Sequence, residues 1–154
     1  MMELDAQLSG LIEDAANYGI SPVVIEQAIA PVLKAFANQL QHLEYYVLQN
    51  IEEKWVVTTI ANPQLKQQKK VIYAFKSVRD AGVFAKKSQA DAIARPIAIA
   101  QLLWRLFALE QVDSIIFLED SHNLNRGIEI ERSHLLKLIQ DQIEQLTEIP
   151  PHIA

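Results

Sequence analysis

The sequence predicts an α+β fold, a small mixed or antiparallel sheet covered by helices with two helices in front of it. Three observations lead there. The apolar residues recur at three- and four-residue spacing up to about residue 40, then switch to short β-branched and aromatic runs. The connections between the first of those runs are too short for parallel crossovers. The 154 residues, half of them hydrophobic and 21% charged, suit one globular core. We expect a single domain over 1–154, with a helical N-terminal layer at 1–40 and a sheet-and-helix core at 44–147; no repeat or low-complexity linker divides it.

In order along the chain, Leu4, Leu8, Leu11, Ile12 and Ala15 give residues 3–18 one apolar face. Gly19 suits the left-handed position that ends a helix. Ser21-Pro22 then provides an N-cap followed by proline where its missing N–H costs nothing. Ile25, Ile29, Val32, Leu33, Phe36 and Leu40 continue a stripe that Pro31 should kink or break. "EYYVLQN" (44–50), "WVVTTIA" (55–61) and "VIYAFKS" (71–77) read as a three-stranded meander, although 44–50 could instead extend the second helix. "SVRDAGVFAKK" reads as a short helix capped by Ser77. The stretch from about Asp91 to Leu109 reads as the most apolar helix, buried on the sheet, with Arg95 and Arg105 emerging at its edge. "DSIIFLED" (113–120) and "GIEIE" (127–131) form a later strand pair, and Ser133 caps a closing helix striped by Leu135, Leu136, Ile139, Ile143 and Leu146.

Several chemistries are excluded. The absence of cysteine removes disulfides, thiolate metal sites and a cysteine nucleophile. Gly10, Gly19, Gly82 and Gly127 are too scattered for a phosphate-cradling loop, and no G-x-S-x-G elbow or H-E-x-x-H pair exists. We therefore expect no catalytic residue, no metal and no cofactor. The acidic start "MMELDAQ" lacks the basic and apolar regions of a secretory signal, and the arginines in the apolar stretch speak against a membrane span. A cytoplasmic setting is the expectation.

Charge is segregated. Residues 1–53 hold one Lys and eight acids, giving −7; residues 54–105 hold ten Lys or Arg and two acids, giving +8; residues 106–154 hold three and nine, giving −6. The basic middle can dock internally or present a patch to an acidic partner. Its candidates are Lys66, Lys69 and Lys70 at a hairpin tip, and Arg79, Lys86 and Lys87 on the following helix. With Tyr73 and Phe75 nearby, they vaguely suggest a sheet that stacks bases. The chain is acidic overall and carries no signature of such modules, so nucleic-acid binding is not expected.

The densest polar run is "LEDSHNLNRG". Glu119, Asp120 and His122 could ligate a metal, and Asp120, His122, Asn125 and Arg126 could line a binding loop. The simpler reading is a turn, because Asp, Asn, Ser and Gly each favour chain reversal. Tyr45, Tyr46 and Trp55 similarly read as cross-strand packing before a ligand cage.

The order "EYYVLQN", "WVVTTIA", "VIYAFKSVRDAGVFA", an apolar helix, "VDSIIFLED", a polar turn and "GIEIERSHLLKLI" resembles the SseB-like (enhanced serine sensitivity) N-terminal-domain family over roughly residues 40–145. The matching positions are Phe75, Ser77, Ala81 and Phe84, then Val112, Asp113, Ile115 and Ile116, then Gly127, Ile128 and Leu135. The chain departs from the family by carrying "LEDSHNLN" where an Asn-Pro-Gly type turn is expected, and no C-terminal second domain is expected here. The resemblance implies an interaction or regulatory module without catalytic residues. Our expectation is thus a protein-interaction domain with a protein partner, no nucleic acid and no membrane; a homodimer is possible. The alternative is a small-molecule-binding domain or minor enzyme using the 119–126 loop.

Overall fold

The computed structural model describes residues 2–119 and 126–147. Helix α1 (Leu4–Glu13) runs into a 3-10 turn (Ala15–Tyr18) and ends at Gly19, whose φ of 68° is the left-handed conformation expected of it. The next helix starts at Ser21-Pro22 as the sequence predicts: α2 (Pro22–Val24), a π turn (Ile25–Ile29) and α3 (Ala30–Ala37) form one run. Pro31 explains the π turn. It has no N–H to give, and its ring crowds the carbonyl one turn earlier, so the preceding turn widens instead of breaking. The π turn still buries Ile25, Ala28 and Ile29.

The sheet has six strands: β1 (Glu44–Gln49), β2 (Thr58–Asn62), β3 (Gln67–Phe75), β4 (Ile93–Ala98), β5 (Ser114–Leu118) and β6 (Gly127–Glu131). Their order is β4-β1-β3-β5-β6, with β2 paired to β3 off this path. Residues 44–49 are strand and not a helical extension. The sheet is mixed because β3 and β5 are parallel while the other ladders are antiparallel. The meander is present in altered form. β3 meets β1 at Phe75 and β2 along Gln67–Val71, whereas β1 and the chain entering β2 form no ladder beyond the bridge Gln49 to Trp55.

One expectation fails. The segment from Asp91 is not the start of a helix: Ile93–Ala98 is edge strand β4, paired along its length with β1, and helix α5 is confined to Ile99–Ala108. Pro96 is the cause. It cannot donate inside a helix and disfavours a helical Arg95, but on an outer strand its missing N–H has nowhere it is needed. Arg95 is accordingly on the exposed strand, and only Arg105 is on the apolar helix.

The two sheet faces are buried differently. One carries Tyr45, Val47, Ile72, Ala74, Ile115, Phe117 and Ile130 into a large core with α1, α2, α3, α5 and α6 (Arg132–Thr147). The other carries Leu48, Phe75 and Leu118 into a small core under Ala81 and Ala85 of α4 (Val78–Lys87). Ser77 caps α4 as expected, accepting from the Asp80 N–H at 3.1 Å. Helix α6 begins one residue before Ser133, at Arg132. A tertiary contact completes the helix layer: buried Gln7 of α1 donates to the Leu43 carbonyl and accepts from the Ala100 N–H at 3.0 Å. It thereby satisfies one of the orphan donors that begin α5.

Candidate functional site

The helices stop short of the β2–β3 hairpin. Pairing of β3 with β5 begins at Val71 with Ser114, so Gln67–Lys70 and Thr59–Asn62 of β2 extend beyond the rest of the sheet. Asn62 builds the turn by accepting from the Gln64 N–H at 3.2 Å, and Lys66 closes it in a left-handed conformation with φ 50°. Asp113 holds the base of the overhang: its carboxylate accepts from the Lys70 N–H and its own N–H donates to the Lys70 carbonyl, both at 2.8 Å. Residues 59–68 are exposed throughout, and Val57, Ile60 and Leu65 are among the exposed large apolar side chains.

The lysines expected at this tip do different things. Lys66 and Lys70 are exposed. Lys69 lies over the sheet, 2.6 Å from Glu129 and 3.6 Å from Glu131, and Glu129 also accepts from the Ser114 hydroxyl at 2.6 Å. The Lys69 ammonium is held above its ordinary pKa chiefly by its hydrogen bond to Glu129. Burial by itself would raise the Glu129 carboxyl, but Lys69 and Ser114 outweigh it and hold the group below its ordinary value. Lys69 is thus an internal ion-pair partner and not a bare tip cation. Lys86 and Lys87 close the last turn of α4, where cations complement the helix C-terminus, over β4, β1 and the Phe75 end of β3. Arg79 is exposed in the first turn of the same helix. The two lysine groups therefore belong to different parts of the fold.

The polar run after β5 divides. β5 and β6 do form the expected antiparallel hairpin, with Leu118 opposite Gly127. Asp120, His122 and Asn125 lie outside the described residues, and Arg126 is an exposed residue at the bend into β6. Glu119, though, is more than a turn residue. It accepts from the hydroxyl of fully buried Tyr45 at 2.6 Å, and its other oxygen is 3.6 Å from His42 Nε2. Burial first, and then Glu119, push the Tyr45 phenol well above its ordinary range. The Tyr45 ring also meets Phe117 of β5 edge-on at 5.0 Å, across β3. Among the described residues no group of three His, Asp or Glu is placed to hold a metal ion.

Trp55 does not pack on Tyr45 or Tyr46 as a cross-strand pair. It turns to α5, where the Arg105 guanidinium stands 4.2 Å from its ring centroid. Beside them opens a cavity of about 550 Å³ lined by Trp55, Val57, Ile72, Arg105, Leu109 and Glu110, among others. The buried Trp55 Nε1–H has no hydrogen-bond partner. A second cleft of about 630 Å³ lies under the hairpin, between Ile60, Lys69 and Asp113 and the start of α6. Sequence reasoning missed Tyr45–Glu119 and Trp55–Arg105. Glu119 carried a signal, as an acid at a strand end, but nothing in the chain marks pairs 74 or 50 positions apart. No family model, curated protein or solved structure matches this chain.

Proposed function

We propose that this chain is a non-catalytic interaction or regulatory domain that works through protein contacts, with the β2–β3 hairpin as its contact surface. The observation that carries the reading is the overhang. Residues 58–68 contribute almost nothing to either core, yet the hairpin displays Ile60 and Leu65. Apolar side chains kept in water on a projecting element mark a contact surface. Residues 54–70 contain four lysines and no acid, which favours an acidic protein partner. The packing of Tyr73 and Phe75 against Phe84, at 5.1 and 5.3 Å, speaks against free rings for base stacking. No helix among the described residues is long and apolar enough to cross a membrane. The SseB-like resemblance and a cytoplasmic setting belong to the same proposal. A strand ending at Phe75, a helix capped by Ser77 and the β5–β6–α6 unit support that resemblance, whereas strand β4 between α4 and α5 departs from the order of segments it implies.

A photo-crosslinking residue at Ile60 tests this, with the same residue at exposed Val23 as control. A discrete adduct from cells at Ile60 and not at Val23 is expected. Absence of adducts at Ile60, together with alanine changes at Lys66, Lys69, Lys70, Arg79, Lys86 and Lys87 that leave partner capture intact, would overturn it.

One observation favours a second reading, a small-molecule-binding domain. The Trp55 ring and Arg105 line a cavity within the usual size of ligand pockets, roughly 300–1,000 Å³. A flat organic acid suits these groups, with Glu110 opposing it. Saturable quenching by 2-naphthoate in Trp104→Phe, where Trp55 is the remaining indole, and its loss in Arg105→Gln would support this reading. Equal quenching by 2-naphthalenemethanol would remove it.

A further inference from the structure

Among the described residues three strands, β2, β4 and β6, pair on one side only, and these edges are finished differently. Outer strand β4 contains Arg95 and Pro96, and outer strand β6 contains Glu129 and Glu131. Charges and proline on an edge are the ordinary means of discouraging a foreign strand. β2 has neither. Its residues, Thr58, Thr59, Ile60, Ala61 and Asn62, are uncharged, and three are β-branched. It pairs with β3 alone, so in an antiparallel ladder alternate residues direct N–H and C=O away from the sheet. Pro63 follows the strand and leaves all five of its N–H groups in place.

We propose that β2 is a strand-accepting edge, and that its occupant is an extended segment of a partner with β-branched or aromatic residues at its centre and Asp or Glu at its ends. This rests on the interaction reading and gives it a mode of docking. The charge argues for the acidic flanks. Lys66 and Lys70 are exposed beside the edge and have no ion pair among the described residues, while Lys54 reaches Glu52 only at 3.8 Å in the open. The same charge argues against a second copy. Pairing β2 with itself would bring one lysine-rich, acid-free hairpin against another inside a Debye length of about 8 Å. Alternation along the added strand would place successive side chains toward the Ile60 face and the Val57 face in turn.

A randomised nine-residue peptide library displayed on phage, selected against the full chain, provides the test. Enriched peptides are expected to alternate β-branched or aromatic residues between acidic ends. A synthetic copy should shift the amide resonances of Thr58–Asn62. Affinity should fall at least tenfold when alternate peptide nitrogens are methylated, in Thr59→Asp, and in the double variant Lys66→Glu with Lys70→Glu. Thr59 is exposed, so a folded Thr59→Asp protein is expected, and circular dichroism checks it. No enrichment, enrichment of basic peptides, shifts elsewhere, or indifference to N-methylation would each overturn the inference. A concentration-dependent dimer by light scattering that Thr59→Asp abolishes would assign the edge to a second copy and overturn it too. If crosslinks at Ile60 persist while no extended peptide binds, strand addition fails and the interaction reading stands. If both are absent, both fall.

Discussion

Replacing Tyr45 by Phe removes one oxygen and tests whether Glu119 anchors the end of β5. The lost bond is a short one to a carboxylate from a residue with no solvent exposure. Hydrogen bonds to charged groups contribute about 1.5–3 kcal/mol. Glu119 keeps 15% of its side chain exposed, so water recovers part of that. Its second oxygen is buried and, among the described residues, has no hydrogen-bond partner and only His42 Nε2 at 3.6 Å, which limits the recovery. We expect a loss of about 1–2 kcal/mol. For a urea slope of about 1–3 kcal/mol/M, the midpoint falls by about 0.3–2 M. The pH dependence gives an independent readout. Tyr45 is raised above its ordinary value of 10.0, so the folded chain keeps a proton that the unfolded chain releases. Its contribution is therefore complete below pH 10 and declines as the pH rises beyond that. Tyr45→Phe should lose stability less steeply than the parent above pH 10. The assay is urea unfolding at pH 7 and across the alkaline range, with Glu119→Gln and the double variant closing a cycle. A loss under about 0.5 kcal/mol, or additive single changes, would refute the argument, because groups that are truly bonded couple.

Other outcomes follow from the same coordinates. Gln7→Leu should cost about 1–3 kcal/mol in chemical unfolding, since it orphans the Ala100 N–H inside the helix layer, while the Leu43 carbonyl keeps the Ile99 N–H. Gly127→Ala should cost about 1–3 kcal/mol, because a Cβ there would lie 2.7 Å from Ile116 Cγ2 and 3.1 Å from the Phe117 carbonyl. Glu129 is held below its ordinary 4.5, so it adds stability above that value which is lost as the pH falls through its lower folded value. Glu129→Gln should flatten that acid limb in a thermal-melt series, modestly because the pair with Lys69 is partly solvated. Asp113→Ala should cost about 1 kcal/mol and speed hydrogen exchange at the Lys70 amide, which loses its acceptor.

Sequence and structure agree best where one local signal suffices. Gly19, Ser21-Pro22 and Ser77 mark helix ends, and the structure places all three there, although the Ser77 hydroxyl caps its helix and the Ser21 hydroxyl does not. The strands at 44–49, 114–118 and 127–131 are legible in the same way, from β-branched and aromatic runs. Ile93–Ala98 misleads because its apolar residues match a helix on one side and a strand on the other. Pro96 resolves the ambiguity only once an edge beside β1 exists to receive it. The lysines show the limit for sites: all five were visible as charge, but Glu129 and Glu131 decide that Lys69 is internal while Lys66 and Lys70 are not.

The sequence by itself determined the class of the fold, the helix ends at Gly19, Pro22 and Ser77 and the segregation of charge, because these depend on spacing and residue type within one turn or one strand. The tertiary structure decided which edge stayed bare, that Glu119 answers to Tyr45, that Gln7 serves a helix 93 residues away, and that Trp55 faces Arg105. The physical reason is range. Propensity acts between neighbours along the chain, whereas an unpaired amide, a buried carboxylate or an orphan indole is defined by what the folded chain brings, or fails to bring, beside it.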